Sequence, residues 1–332
     1  MGAAFPDRVA ALVEERRSQI VLGLDPDPVA LWPVALSGAG AEPEDVLSHT
    51  AVGSEAAAGA AGGAAREPVA EPTAAAVARH CRAAIDAAGP VCVAVKLQSA
   101  CFERLGAPGW AALADVLAYV RQAGLLGIVD GKRGDVPVTA RAYAQSLVGE
   151  TPGPFGPVPG LGADAFTANP LLGADALGPL VEAADEAGAG CFCLVRTSNP
   201  GAEEVQDVPP ELPLHETLAR LVDQIGEHLV GDSGLSLVGA VTGATRPELL
   251  GRLRELMPRA IFLLPGVGAQ GGEVSALAPA FEPHPAAGLV TASRSIVNAY
   301  AHVGGDPAKA AREAAEELRK AAWRVSGGRG GR

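Results

Sequence analysis

Eight short apolar runs recur along this chain, each followed by a longer stretch, and that alternation constrains the fold more than any other feature. The runs are Ile20 to Leu24, Val91 to Val95, Leu126 to Val129, Ala163 to Thr167, Cys191 to Val195, Leu235 to Val241, Ala260 to Leu264 and Gly288 to Ala292. Each is too short for a helix and nearly continuous in apolar character, the pattern of strands buried on both faces. Amphipathic patterns lie between them at Thr73–Ala88, Trp110–Ala123, Ala174–Ala187, Leu214–Val230, Arg246–Met257 and Pro307–Trp323. Strand–helix alternation repeated eight times predicts an α/β protein of the closed TIM (β/α)8 barrel type. The competing arrangement, an open doubly wound sheet, is disfavoured by the count and by the lack of GxGxxG after the first run.

Almost every run ends in a polar or turn-forming residue: Asp25, Lys96, Asp130, Asn169, Ser198, Thr242, Gly266 and Arg294. In a parallel barrel those ends converge on one mouth, where such folds carry their chemistry. A full ring of this kind is hard to explain as solubility alone.

Composition narrows the partners. At 48% hydrophobic the chain can bury a large core, and with 4% aromatics that core must be built from Ala, Val, Leu and Ile. Acidic residues outnumber basic ones 38 to 26, a formal charge of −12. That field repels nucleic acid and anionic lipid, so neither is expected as a partner. An anionic small molecule remains compatible if cations and backbone N–H groups cluster locally. No apolar run approaches the roughly 18 residues of a membrane span. The first 18 residues mix apolar and charged positions and read as a helix, not a signal peptide. Five cysteines without a framework spacing, three of them inside apolar runs, predict reduced thiols and a cytoplasmic setting. Six scattered histidines with neither HxH nor HExxH spacing predict no metal site. One barrel domain over 1–325 is expected, with a low-complexity Ala/Gly/Glu insertion at about 37–66 and a disordered tail at 326–332.

Three clusters carry chemistry. The densest is Asp130-Gly-Lys132-Arg133-Gly-Asp135, followed by Thr139. If the third strand continues through Lys132, Asp130 and Lys132 project to one side, with Lys96 on the neighbouring strand. Gly134 and Pro137 then turn the chain into a helix with Asp135 near its N-cap. Buried charges of this kind must be mutually paired, and such networks gather at functional sites. The second cluster is Pro265-Gly266-Val-Gly268-Ala-Gln270-Gly-Gly after the seventh run, with Ser293-Arg294-Ser295 after the eighth. Glycines admit an anion to backbone N–H groups, and Arg294 supplies a fork matched to phosphate. The third, Arg196-Thr197-Ser198-Asn199-Pro-Gly201 after the fifth run, has short hydroxyls and an Asn before Pro-Gly that either hydrogen-bond a flat polar ring or shape a turn.

Together LGLDPDP, VKLQSACFE, DGKRGDVPVTA, ANPLLG, TSNPGA, VTGATRP, LPGVGAQGG and SRSI resemble the orotidine 5'-phosphate decarboxylases, in particular their longer bacterial branch (type 2), from about Ile20 to Tyr300. The DxKxxD stretch is also shared with magnesium-dependent sugar-phosphate decarboxylases and aldolases. Those relatives carry an acidic metal ligand at the end of the second strand, where this chain has Lys96.

The resemblance implies cofactor-free and metal-free decarboxylation of orotidine 5'-phosphate (OMP) to UMP and CO2, in de novo pyrimidine biosynthesis. It implies a charged network of Lys96, Asp130, Lys132 and Asp135, with Lys132 protonating the C6 carbanion. It further implies a homodimer with shared active sites, Asp135 and Thr139 reaching into the partner's site. Asp25 would bind the ribose, Ser198 the pyrimidine, and Gln270 and Arg294, with backbone near Gly266 and Gly268, the phosphate. Valine follows Asp135 where isoleucine is common, and the Ala/Gly-rich insertion is unusual. The rival readings are the magnesium-dependent lyase or aldolase and a nucleotide sensor that has lost catalysis; the intact acid–lysine alternation argues against the sensor.

Overall fold

A computed structural model describes residues 3–37, 67–268 and 270–327. Most of the expected insertion, 38–66, and the last five residues of the expected tail, 328–332, lie outside the described residues.

Ten strands form among the described residues: β1 (Ile20–Leu24), β2 (Ala94–Gln98), β3 (Leu126–Arg133), β4 (Glu150–Thr151), β5 (Val158–Pro159), β6 (Ala165–Ala168), β7 (Gly190–Arg196), β8 (Ser236–Thr242), β9 (Ala260–Leu264) and β10 (Gly288–Ala292). Eight of them close a parallel barrel in the order β1-β2-β3-β6-β7-β8-β9-β10, and β10 returns to pair with β1 at Ile20↔Val290. All eight expected runs are therefore barrel strands. β4 and β5 are a short antiparallel ladder outside the barrel.

Among the described residues the helices of about two turns or more are eight: α1 (Phe5–Arg16), α2 (Glu67–Ala88), α3 (Ala107–Gln122), α4 (Pro137–Leu147), α5 (Ala174–Glu186), α6 (Leu214–Gly226), α7 (Leu250–Leu256) and α8 (Pro307–Val325). Except for α1, they form an outer layer whose apolar stripes, including Val77, Ile85, Leu113, Leu117, Leu177 and Leu180, pack on the outward faces of the strands. Small residues (Ala, Val) dominate this shell, as the scarcity of aromatics requires.

Helix α1 is placed differently. Phe5, Val9 and Val13 join Val21, Ile128, Ala165, Phe192 and Leu289 in a second core inside the barrel. The Phe5 ring lies edge-on to Phe192, and a Cβ on Gly190 would stand only 2.4 Å from that ring. Arg8 bonds Asp164, and the Asp7 carboxylate accepts from Ser233 N–H, both just ahead of barrel strands. The helix thus floors the barrel at the N-terminal ends of its strands and leaves the opposite mouth open.

Inside the barrel the two-residue period of a strand decides what faces the mouth. Ala94, Ile128 and Ala165 point into the core, so Lys96, Asp130 and Thr167, two residues on, point into the layer above. β2 begins three residues later than the expected run because Gly89–Val91, with Pro90 at its start, forms a 3-10 turn instead. Lys96 therefore sits inside the strand and is buried, where its surroundings can fix it. Among the described residues no helix is long and apolar enough to cross a membrane, and all five cysteines are free.

Candidate active site

A cavity of about 390 Å³ opens at the C-terminal mouth, lined by residues from all eight barrel strands or the loops that follow them. Asp25, Lys96, Asp130 and Lys132 stand on one side of its wall; Ser198, Gly266, Gln270 and Arg294 complete it. The three clusters read from the sequence, far apart along the chain, share this one cavity.

Its charged end is built around Asp130. Lys96 Nζ donates to Asp130 Oδ2 at 2.6 Å and Lys132 Nζ to Oδ1 at 2.6 Å. Thr167 Oγ1 donates to Oδ1 at 2.9 Å, and Gln98 Nε2 lies 3.4 Å from Oδ2. Asp25 Oδ1 stands 3.8 Å from Lys96 Nζ. The Asp130 and Lys96 side chains are each only 8% exposed, against 43% for Lys132. Lys132 is thus the ammonium that meets the cavity, while Lys96 is locked behind the carboxylate. Burial would raise the Asp130 carboxyl, but the two lysines overwhelm it and hold the group well below the ordinary carboxylate range. Burial would likewise lower Lys96, and the Asp130 and Asp25 carboxylates reverse that and keep its ammonium above the ordinary lysine value.

Both lysines reach Asp130 by different routes. Lys96 comes from the next strand, with Gln98 paired opposite Asp130 in the β2–β3 ladder. Lys132 lies in the irregular end of β3, with φ of +49°, a left-handed conformation uncommon for a residue with a side chain. The expectation that Asp130 and Lys132 face the same side is met, through this kinked backbone and not through regular strand alternation.

At the other end of the cavity, Gly266 and Gly268 have φ of +98° and +74°, and Gly266 O accepts from Gly272 N–H at 3.1 Å. This tight loop carries Gln270 to the mouth beside Arg294, whose guanidinium makes no hydrogen bond among the described residues. Ser293 tucks against β1 because residue 23 is glycine: a Cβ there would lie 1.9 Å from Ser293 Oγ. The result is a cationic, glycine-lined end suited to an oxyanion.

Three of the residues expected in the site are not on this wall. Gly268 spends its N–H on Gly272 O at 3.0 Å, so the loop's own closure uses that donor. Thr139 is exposed in the first turn of α4 and Asp135 is half-buried just ahead of it; Asp135 Oδ1 accepts from Val136 N–H at 2.8 Å, one residue ahead of the cap.

Two members of the expected polar ring also fall elsewhere. Asn169 lies beyond the end of β6 and caps the short turn at Pro170–Leu172 by accepting from Leu171 N–H. Thr242 has the wrong parity, and Val241 lines the cavity in its place. Arg196, at the same level, is drawn aside by Asp207, which it grips through Nε at 2.8 Å and a terminal nitrogen at 2.9 Å. Conversely, Thr167, Gln98 and Thr291 line the cavity without having been singled out, and Ser293 and Ser295 of the second cluster line it as well. Counting two residues on from the inward-facing core positions finds Thr167 and Thr291.

The third cluster does both things its residues allowed. Thr197, Ser198 and Asn199 line the cavity, and Thr197 Oγ1 also donates to Asn199 Oδ1 at 2.7 Å within the turn. Among the described residues no group of three or more His, Cys, Asp or Glu is arranged to hold a metal ion. Asp130, the central carboxylate, already receives hydrogen-bond donors on both oxygens, two of them ammonium groups. A divalent cation there would have to displace them.

A family model described as "Orotidine 5'-phosphate decarboxylase / HUMPS family" matches residues 47–314. An orotidine 5'-phosphate decarboxylase of Rhodopirellula baltica is 42% identical over 228 residues, 68% of this chain and 74% of that protein. One from Roseiflexus sp. is 34% identical over 324 residues, 96% of each chain. The solved OMP decarboxylase of Leishmania donovani superposes with a TM-score of 0.67 at 28% identity, covering 97% of this chain and 99% of its own. With matches this extensive, the chain belongs to the orotidine 5'-phosphate decarboxylase / HUMPS family.

Proposed function

We propose that this chain removes CO2 from orotidine 5'-phosphate to give UMP, the closing step of pyrimidine nucleotide synthesis, using its own side chains. One observation carries the reading: a buried carboxylate flanked by two ammonium groups shares a cavity with a glycine loop and an arginine. A nucleotide monophosphate is a molecule with an anion at one end and a reacting ring at the other.

In this reading the phosphate rests on Arg294, Gln270 and the backbone at Gly266, the ribose on Asp25, and the pyrimidine beside Ser198. The C6–carboxylate bond then breaks, its electron pair stays on C6, and CO2 departs. No adjacent carbonyl is positioned to delocalise that pair. Lys132, the exposed ammonium of the network, stabilises the developing charge and gives a proton to C6. The lysine is left neutral and regains its proton from water. Asp130, beside the substrate carboxylate, favours loss of negative charge there and keeps Lys132 charged until transfer. Phosphate binding far from C6 supplies energy to orient the ring and exclude water.

We also propose a homodimer in which Asp135 and Thr139 complete the partner's site. The exposure of Thr139 in the first turn of α4, beside the half-buried Asp135 and the exposed apolar Val136 and Val138, supports this arrangement. Five free thiols support a reducing, cytoplasmic setting.

The test is the loss of ultraviolet absorbance of OMP on addition of the purified chain, with and without prior dialysis against EDTA. Turnover in both samples is expected. Turnover abolished by EDTA and restored by magnesium would favour the metal-dependent lyase chemistry instead. Tight UMP binding with no turnover in either sample would make the chain a sensor.

A further inference from the structure

Strand β3 leaves its ladder with β6 after Val129 and rejoins it only at Arg133, opposite Ala168. Lys132 lies inside that interruption, in the left-handed conformation described above. Its backbone N–H is met by a side chain: it donates to Thr167 Oγ1 at 2.9 Å. Because an N–H can only donate, the threonine's own proton is committed elsewhere, and it goes to Asp130 Oδ1 at 2.9 Å. Asp130 Oδ1 in turn accepts from Lys132 Nζ. The result is a closed circuit running from the Lys132 backbone through the Thr167 hydroxyl and the Asp130 carboxylate back to the Lys132 ammonium. Thr167 is 1% exposed, so water cannot readily take the place of its hydroxyl.

We propose that Thr167 is a positioning residue for proton delivery, holding the Lys132 backbone and the Asp130 carboxylate in the one arrangement that aims the ammonium at the reacting carbon. This rests on the reading of Lys132 as proton donor. Without the hydroxyl the Lys132 N–H is unsatisfied, the left-handed backbone loses its anchor and the ammonium shifts. A displacement of about 1 Å at a reacting group costs on the order of 100-fold in rate. The phosphate end, on separate strands and loops, is unaffected.

The experiment compares wild type, Thr167→Val, Thr167→Ser and Lys132→Ala, measuring kcat and KM for OMP and Kd for UMP. Thr167→Val, nearly isosteric, is expected to lower kcat by roughly 10- to 100-fold, with KM and UMP affinity within about 3-fold of wild type. Thr167→Ser, which keeps the hydroxyl, is expected to stay within about 3-fold throughout. Should the valine variant fail to fold, Thr167→Cys, with a poor hydrogen-bonding thiol, takes its place. Full-speed Thr167→Val would overturn the inference, and so would equal losses in the valine and serine variants, which would point to the methyl group. A rise in KM without a fall in kcat would make the role one of binding and overturn it too. An inactive wild type, or an active Lys132→Ala, overturns the functional reading and this inference with it. A dead Lys132→Ala beside an unimpaired Thr167→Val sinks this inference alone.

Discussion

Replacing Asp130 by asparagine isolates the electrostatics of the site from its shape. The substitution keeps the volume but removes the only charge between Lys96 and Lys132, each 2.6 Å from it. Lys96 is then a nearly buried ammonium facing an amide that itself presents N–H donors. Its remaining counter-charge is Asp25, 3.8 Å away and 41% exposed. Removing one partner of a buried pair typically costs about 3–5 kcal/mol, and the residual help from Asp25 argues for the lower half of that range. For a chain of this size that corresponds to a fall in Tm of roughly 6–8 °C, at about 2 °C per kcal/mol. Urea unfolding at pH 7 should show a lower midpoint with an unchanged slope, since the surface exposed on unfolding is the same. Adding Lys96→Met to the variant removes the stranded charge and should recover at least half of the loss. High salt should change little, because the pair is screened from solvent. An Asp130→Asn protein within 1 kcal/mol of wild type, or a double variant no better than the single one, would refute the view that mutual charge pairing holds this cluster together.

Lys132→Ala should reduce turnover by at least 10²- to 10⁴-fold, the usual contribution of a positioned general acid, while isothermal titration with UMP changes little. Arg294→Ala should weaken UMP binding by about 10- to 100-fold, the loss of a charge-assisted hydrogen bond, and an unchanged Kd would remove the phosphate assignment. Asp130 titrates below its ordinary 3.8, so its stabilisation is complete above about pH 4 and disappears only as pH falls through the depressed value. Lys96 is raised above 10.5, so its share persists until pH climbs beyond that. The stability gap between wild type and Asp130→Asn should therefore be flat from pH 5 to pH 9; a gap already closing at pH 5.5 would contradict the pairing.

The barrel was legible because buried parallel strands announce themselves as uninterrupted apolar runs, and β1, β9 and β10 coincide with the runs read from the chain. Strand limits were less so. Pro90 and its 3-10 turn moved the start of β2, and only the folded register reveals that Lys96 is interior. β4 and β5 escaped notice because two exposed residues per strand leave no hydrophobic pattern. Within the site, the charged residues stood out since charge beside an apolar run demands explanation. Thr167 did not, as a threonine inside a strand is ordinary by sequence and becomes informative only once β3 breaks its ladder beside it. Arg196 belongs to the third cluster by sequence yet turns aside, because its partner Asp207 lies eleven residues on, across a short helix that no local periodicity ties back to the strand.

The floor formed by α1 has a bearing on biosynthesis. Phe5, Val9 and Val13 leave the ribosome long before Leu289, which supplies part of the surface they cover. During translation this helix must therefore wait, its greasy stripe exposed, until β10 has emerged and closed against β1. Nascent chains stalled before residue 288 should be prime clients for chaperones that shield apolar segments, whereas emergence of β10 lets two segments synthesised far apart in time seal the same vessel.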